Sequence, residues 1–405
     1  MSEVIVVGAG PAGLMAADVI ASAGHAVTVV DHMPTVGRKF LMAGRGGLNL
    51  THSEGRDRFL ARYGAAGVRL APAIDAFPPE ALRAFARDLG EETFVGTSGR
   101  VFPCAFKASP LLRAWLARLD RLGVTRRTRL RWIGFADGRP LFRKSDGAEE
   151  TLACDAVVLA LGGASWPRLG SDGGWTAVLA GEGVRIAPLR PTNCGFEVAW
   201  SDVFRSRFEG HPLKRLAVHF RDLVSVGEAM ITADGLEGGA IYGLSGPLRD
   251  AIAAEGPVDV VVDLKPGMTV AELETALSGG RKGDSLSNRL RKGAGLPPPA
   301  IGLMREATGG TLPSAAAELA ALIKSVGLRI TAARPLERAI SSAGGILLDE
   351  VTPDFMLKRL PGVFVAGEML DWEAPTGGFL LQACFSTGKA AGEGVVARLG
   401  GPAAH

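Results

Sequence analysis

A chain of 405 residues, 47% hydrophobic and 21% charged, has the balance of a globular protein and the length of two or three domains. No apolar run approaches the ~20 residues that a membrane-spanning helix requires, and a formal net charge of +3 argues against an extended polyanion as the main partner. The first seven residues lead directly into a strand pattern with no secretory leader, so the cytoplasm is the expected location. Cys104, Cys154, Cys194 and Cys384 form no C-x-x-C pair, and the six histidines show no metal-ligand spacing, so neither a disulfide framework nor a metal site is expected.

In chain order, residues 3–7 read as a strand, 11–23 as a helix and 26–30 as a second strand, the alternation of a parallel sheet. Helical spacing recurs over 79–89 and 110–122. Residues 124–152, with turns at Asp137-Gly138 and Asp146-Gly147, read as a β-meander, and their basic run at 126–131 as the solvated face of an edge strand. A buried strand follows at 156–161. Around 188–191 the texture changes: 196–264 reads mostly as strands, with turns at Ala233-Asp234-Gly235 and Leu244-Ser245-Gly246-Pro247, and 269–325 reads as helices broken at glycines. Buried strands resume at 346–348 and 363–366, and a long helix over 379–399 closes the pattern.

Between the first strand and the first helix stands Gly8-Ala9-Gly10-Pro11-Ala12-Gly13, a complete G-x-G-x-x-G in the strand-turn-helix setting that gives the motif meaning. The first glycine permits the turn, the second lets backbone approach a pyrophosphate, and the third lets helix pack on strand, with the helix N-terminus facing the anion. Asp31, ending the second strand, is placed to accept hydrogen bonds from the adenosine ribose, which disfavours a 2′-phosphate there. Gly37-Arg38-Lys39 and Gly44-Arg45-Gly46-Gly47-Leu48-Asn49-Leu50-Thr51 can lay amides and cations along an extended dinucleotide. Late in the chain, Ala366-Gly367-Glu368, Asp371 and Thr376-Gly377-Gly378-Phe379-Leu380 bring a strand end and a helix N-terminus suited to the N1/C2=O edge of a flavin. The fingerprint fits NAD or FAD; these further segments point to FAD.

Together with Gly99-Arg100-Val101-Phe102-Pro103 and Leu161-Gly162-Gly163-Ala164-Ser165-Trp166-Pro167, the segments occur in an order that resembles the bacterial NAD(P)/FAD-dependent oxidoreductases, the family of BaiN/YhiN-like reductases and aminoacetone-oxidase-type flavoproteins. The resemblance spans nearly the whole chain. It implies an α/β fold whose Rossmann-like FAD-binding domain is built from both chain ends, 1–188 and 346–405. An inserted β-rich module at 189–266 and a small helical module at 267–330 interrupt it, and 331–345 supplies a return strand to the β-rich module. It further implies FAD contacts from Gly8, Gly10, Pro11, Ala12, Gly13, Asp31, Arg38, Lys39, Gly44, Gly46, Asn49 and Thr51. Ala160, Gly162, Gly163, Gly367, Glu368, Asp371, Gly377, Gly378, Phe379 and Leu380 complete that set. Two departures stand out. Relatives often carry Gly-Arg-Cys-Asn where this chain has Gly46-Gly47-Leu48-Asn49, which disfavours a thiol-assisted mechanism. They often carry Thr-His-x-Gly-Leu-Ser-Gly-Pro where it has Thr232-Ala233-Asp234-Gly235-Leu236-Glu237-Gly238-Gly239, which removes a histidine.

The expected activity is flavin-mediated hydride transfer to a small organic acceptor, with NAD(P)H as candidate donor. His52, Arg100, Ser165 and Trp166 are candidate polar or aromatic contacts to the substrate, and Phe379 a candidate wall. No second G-x-G-x-x-G supplies a nicotinamide domain, so a reductase visited transiently by NAD(P)H and an oxidase acting on a small amine such as an aminoketone are both compatible with the chain. An RNA-modifying flavoprotein would need a basic, aromatic groove, for which only the short stretches 126–132 and 281–292 are available. A non-catalytic flavin-binding protein is a third class.

Overall fold

The computed structural model describes residues 2–44, 46–279 and 285–400, so Arg45 and the start of the basic stretch 281–292 lie outside the described residues. The chain forms two compact units, Met1–Arg190 with Ser341–His405, and Pro191–Ile340.

At the centre of the first unit, four valine-rich strands and one polar edge strand make a five-stranded parallel sheet. Its order is Val363–Val365, Ala156–Leu159, Glu3–Val7, Ala26–Asp31 and Thr125–Thr128. Unbroken apolar strands suit a sheet covered on both faces. Helix Pro11–Ser22 packs along the C-terminal helix Phe379–Leu399, and the backbones come close because Gly388 and Gly392 lie in the seam. A Cβ on Gly388 would overlap the Ala12 carbonyl, and one on Gly392 would sit 3.0 Å from that of Ala16. The sheet therefore draws its strands and its covering helices from both ends of the sequence.

The expected meander divides. Its first strand, Thr125–Thr128, joins the parallel sheet as an edge, and Arg129 turns the chain at φ 60° before Leu130–Ala136, Arg139–Lys144 and Glu149–Thr151 form a separate three-stranded sheet. The basic run is largely neutralised: Arg126 pairs with Asp120 at 2.7 Å, Arg127 with Glu150 at 2.5 Å and Arg131 with Asp172 at 2.7 Å. Thr51–His52, Arg100–Pro103 and Thr93–Val95 make another small sheet, and Ile186–Thr192 and Ser341–Ile346 pair as a ribbon.

The second unit has a six-stranded antiparallel sheet in the order Phe196–Glu197, Gly235–Glu237, Leu223–Thr232, Pro212–Phe220, Val258–Asp263 and Val326–Ile330. Helices Val270–Ser278, Leu286–Gly293, Pro298–Ala307 and Ala316–Lys324 stand between its last two strands. Thr269 opens the first of these with a reciprocal capping box to Glu272. Leu273, Leu303, Leu319 and Ile323 from these helices share one hydrophobic cluster with Val218, Ile231 and Val260 from the strands. A strand returns to this sheet at Val326–Ile330, and the expected return segment 331–345 continues from it onto the edge strand Phe196–Glu197, where Ala333 bridges antiparallel to Phe196, Thr331 donates to the Glu197 carbonyl at 3.0 Å and Glu197 donates to the Ala332 carbonyl at 2.8 Å. The supposed turn at Leu244–Pro247 is instead the start of helix Ser245–Glu255.

Candidate dinucleotide and flavin site

The glycine fingerprint separates into three physical jobs. Gly8 adopts φ 104°, where a side chain is strained, and its missing Cβ leaves room for the Ala160 carbonyl. Gly13 has no Cβ because one would overlap the Gly8 carbonyl, the close packing that seats the helix on the strand. A Cβ at Gly10 meets nothing within 4 Å, so the second glycine borders open space rather than protein. That space is an open groove lined by the glycine turn, Asp31 and the Gly367-Glu368 segment.

Asp31 closes one side of the groove. Its two carboxylate oxygens accept from the backbone N–H groups of Ala9, at 2.9 Å, and Met33, at 2.8 Å, which ties the second strand to the glycine turn and leaves further lone pairs for ribose hydroxyls. Elsewhere in the lining three distant segments meet. The Lys39 ammonium donates to the Ser165 hydroxyl at 2.6 Å and to Glu368 at 2.7 Å, which fixes one cation, one hydroxyl and one carboxylate as a unit. Gly367 is held beneath by its own N–H donating to the Thr387 hydroxyl at 3.0 Å and by the Trp372 indole donating to its carbonyl at 2.9 Å. Neither Thr387 nor Trp372 carries a motif that sequence alone would flag.

Gly8, Gly10, Pro11, Ala12, Asp31, Arg38, Lys39, Ala160, Gly162, Gly367 and Glu368 all line this groove, while Gly13 sits behind it. Gly163 makes room for the Ser342 hydroxyl, which accepts from the Ala164 N–H at 2.8 Å. Sequence reasoning missed His32, Met33, Leu130, Trp132, Leu169, Ser171 and Cys384, which also line it. For Trp132 the available signal was the alternation of Leu130 and Trp132 as the buried positions of their strand.

Thr51, Gly378 and Phe379 gather in a second cluster at the N-terminus of the C-terminal helix. Gly378, at φ 96°, brings the helix start onto Thr51, whose backbone would lie 2.5 Å from a Cβ there. Thr51 donates to Gln382 at 2.7 Å, and Gln382 in turn donates to the Phe77 carbonyl at 2.6 Å, a buried polar chain that fixes the helix start. The N–H groups of Phe379, Leu380 and Leu381 precede the first intrahelical bond, from Gln382 to Gly378 at 3.0 Å, so the positive end of the helix is preserved. Gly377 leaves space for the Phe379 ring, and Leu380 packs part-buried on the core.

Several expected contacts are placed elsewhere. Phe379 is not a substrate wall: its ring is 3% exposed, lies 5.1 Å from the His52 ring in a stacked arrangement and packs on Phe59. His52 has both ring nitrogens engaged with backbone, Nδ1 accepting from the Glu54 N–H at 3.1 Å and Nε2 donating to the Ser98 carbonyl at 3.0 Å. Arg100 is exposed opposite His52 on the neighbouring strand. Trp166, at φ 60°, caps the short helix Pro167–Leu169. Gly44 allows close approach of Ala108, Gly46 borders open space, and Asp371 is half-buried with its carboxyl pushed up by burial. Asn49 has a buried carbonyl oxygen with no partner among the described residues.

The residues present fit an adenine dinucleotide. Besides the open face of Gly10, three buried polar atoms without partners among the described residues, Arg38 Nε, Trp132 Nε1 and Ser171 Oγ, belong to residues that line this one groove. Burial holds the thiol of Cys384 far above the usual range, so it borders the groove as a neutral group and not as a nucleophile. His32 is held below the usual imidazole range, first by burial and then by Arg131, against the opposing pull of Asp31 and Asp172. The unfolded chain therefore binds this proton more readily than the folded one, and stability falls as pH drops from about 6.5 through the lower folded value. The melting temperature should decline over that window and His32→Gln should flatten the decline; equal slopes in both proteins would refute the assignment.

The family model described as HI0933-like protein Rossmann domain matches residues 2–394. The chain is 25% identical over 420 residues to the 3-dehydro-bile acid delta(4,6)-reductase of Clostridium scindens, covering 98% of this chain and 100% of that one. A 53-residue stretch, 13% of each chain, is 49% identical to the ribosomal RNA dihydrouridine synthase of Haemophilus influenzae. Among solved structures, the 3-ketosteroid delta1-dehydrogenase of Sterolibacterium denitrificans superposes with TM-score 0.54 at 12% identity, over 98% of this chain and 100% of that one. A flavocytochrome c3 fumarate reductase superposes with TM-score 0.50 at 15% identity, over 98% and 78%. These two likenesses show the fold. With its dinucleotide groove and a match over nearly its full length, the chain belongs to the HI0933-like Rossmann-domain family and is an FAD-dependent oxidoreductase.

Proposed function

We propose that the protein is a reductase that saturates a carbon–carbon double bond conjugated with a carbonyl, using electrons from NADH or NADPH passed through FAD. FAD, when bound, supplies the two-electron carrier; the chain supplies position and field. The observation that carries the reading is the groove itself, with open space over Gly10 and with Lys39 and Glu368 in its lining held together with Ser165. The names of two relatives support the acceptor class. One acts at delta(4,6) of a 3-dehydro-bile acid and the other makes dihydrouridine, and in each case the bond concerned is conjugated with a carbonyl. The positive helix end at Phe379 favours negative charge nearby, as a reduced flavin carries. A small molecule is favoured over RNA as substrate, because the arginines of the 126–131 run are mostly engaged with carboxylates.

The test is anaerobic mixing of FAD-loaded protein with NADH and with NADPH, followed by addition of a cyclic enone. Bleaching of the flavin band by one nicotinamide and its return with the enone are expected. No bleaching by either nicotinamide would overturn the donor, and recovery with oxygen or a uridine-containing transcript but with no enone would overturn the small-molecule acceptor.

A further inference from the structure

We propose that Trp132 and Ser171 recognise the adenine base of the dinucleotide, an assignment that rests on the flavin reading of the groove. Asp31 marks the ribose, because a carboxylate ending the second strand of such a unit stands beside the ribose hydroxyls. The pyrophosphate belongs over the open face of Gly10, so the base extends to the other side of Asp31. The groove wall there is made by Met33, Leu130, Trp132, Leu169, Gly170 and Ser171. Met33, Leu130 and Leu169 are apolar, as the faces of a purine require. Gly170 lets its loop close on this wall, since a Cβ at that position would come within 2.8 Å of the Met33 side chain.

Set among these apolar groups are two polar side chains, Trp132 at 6% exposure and Ser171 at 4%, each with its polar atom buried and without a partner among the described residues. Buried polar atoms in native proteins are nearly always hydrogen-bonded, so two orphans in one wall mark a place where a ligand completes the set. Their chemistry selects the ligand. The indole N–H can only donate, whereas a hydroxyl can donate or accept. The adenine edge offers an acceptor ring nitrogen beside a donor amine, so the Trp132 N–H donates to a ring nitrogen and the Ser171 oxygen accepts from the exocyclic amine. A hypoxanthine base carries a carbonyl in place of that amine, which the hydroxyl can still meet, but it also carries a proton on N1, so the Trp132 N–H aimed at N1 faces a second donor and the match is broken.

The experiment is equilibrium binding of FAD, ADP and IDP to apoprotein, read by calorimetry and by tryptophan fluorescence. Wild-type protein should prefer ADP to IDP by roughly tenfold, the scale of one unsatisfied polar group. Trp132→Phe, which keeps an aromatic ring but removes the N–H, and Ser171→Ala should each weaken FAD and ADP by roughly tenfold with unchanged circular dichroism, and Trp132→Phe should also erase most of the preference over IDP. Both variants binding FAD and ADP as the wild type does would overturn the assignment while leaving the flavin site standing. A wild-type protein that binds neither ligand would overturn the flavin reading and this assignment with it.

Discussion

Gly10→Val is expected to give a folded protein that carries no flavin, whereas Gly13→Val is expected to give little folded protein at all. The two glycines belong to one motif, yet their surroundings are opposite. A Cβ on Gly10 meets no protein atom within 4 Å, so valine there intrudes only on the space reserved for the pyrophosphate. A Cβ on Gly13 falls on the Gly8 carbonyl, and that backbone has nowhere to move because the same residue is pressed against Ala160. Overpacking of this kind costs about 3 kcal/mol or more, a large share of a typical domain's stability. The measurements are the flavin-to-protein absorbance ratio after reconstitution and the thermal melt of each variant. A Gly10→Val protein with wild-type flavin content would remove the pyrophosphate from this turn, and a Gly13→Val protein with a wild-type melt would remove the packing argument.

Gly388→Val should be as damaging from the far end of the chain. Its Cβ would overlap the Ala12 carbonyl, so the C-terminal helix would have to lift from the dinucleotide helix along a seam that also includes Gly392 against Ala16. The clash is with backbone and not with the tip of a flexible side chain, and we expect a loss of at least about 3 kcal/mol in unfolding free energy. Because Ala12 borders the groove, the flavin should be lost in the same step. A chemical denaturation midpoint close to that of the wild type would show that the helices can separate at little cost.

Much of this was legible in local pattern. The strand Glu3–Val7, the Gly8 to Gly13 turn and the long helix Phe379–Leu399 stand where valine runs, glycine spacing and helical periodicity put them. The misreadings have physical causes. Ser245-Gly246-Pro247 carries turn residues, yet a proline in the first helical turn forfeits no needed N–H, so a helix starts there instead. Val326, Leu328 and Ile330 alternate as a half-buried strand should, but the helical run before them obscured the change of period. No local pattern could disclose the Lys39, Ser165 and Glu368 unit, whose members are separated by 126 and 329 positions from Lys39. Nor could it show that His52 is already occupied by backbone, or that the Arg129 turn sends one basic strand to a different sheet.

The discontinuity of the first unit also sets an order of assembly during translation. Its sheet lacks an edge until Val363–Val365 emerges and lacks its cover until Phe379–Leu399 follows, whereas Pro191–Ile340 is continuous and is made before either. At about 5–20 residues per second, the strand Ala156–Leu159 waits roughly 10–50 s for its outer neighbour and the covering helix. The insert thus folds ahead of its host, and a nascent chain released early holds the glycine fingerprint without the structure to use it. Cofactor capture thereby reports that synthesis has passed the helix Phe379–Leu399.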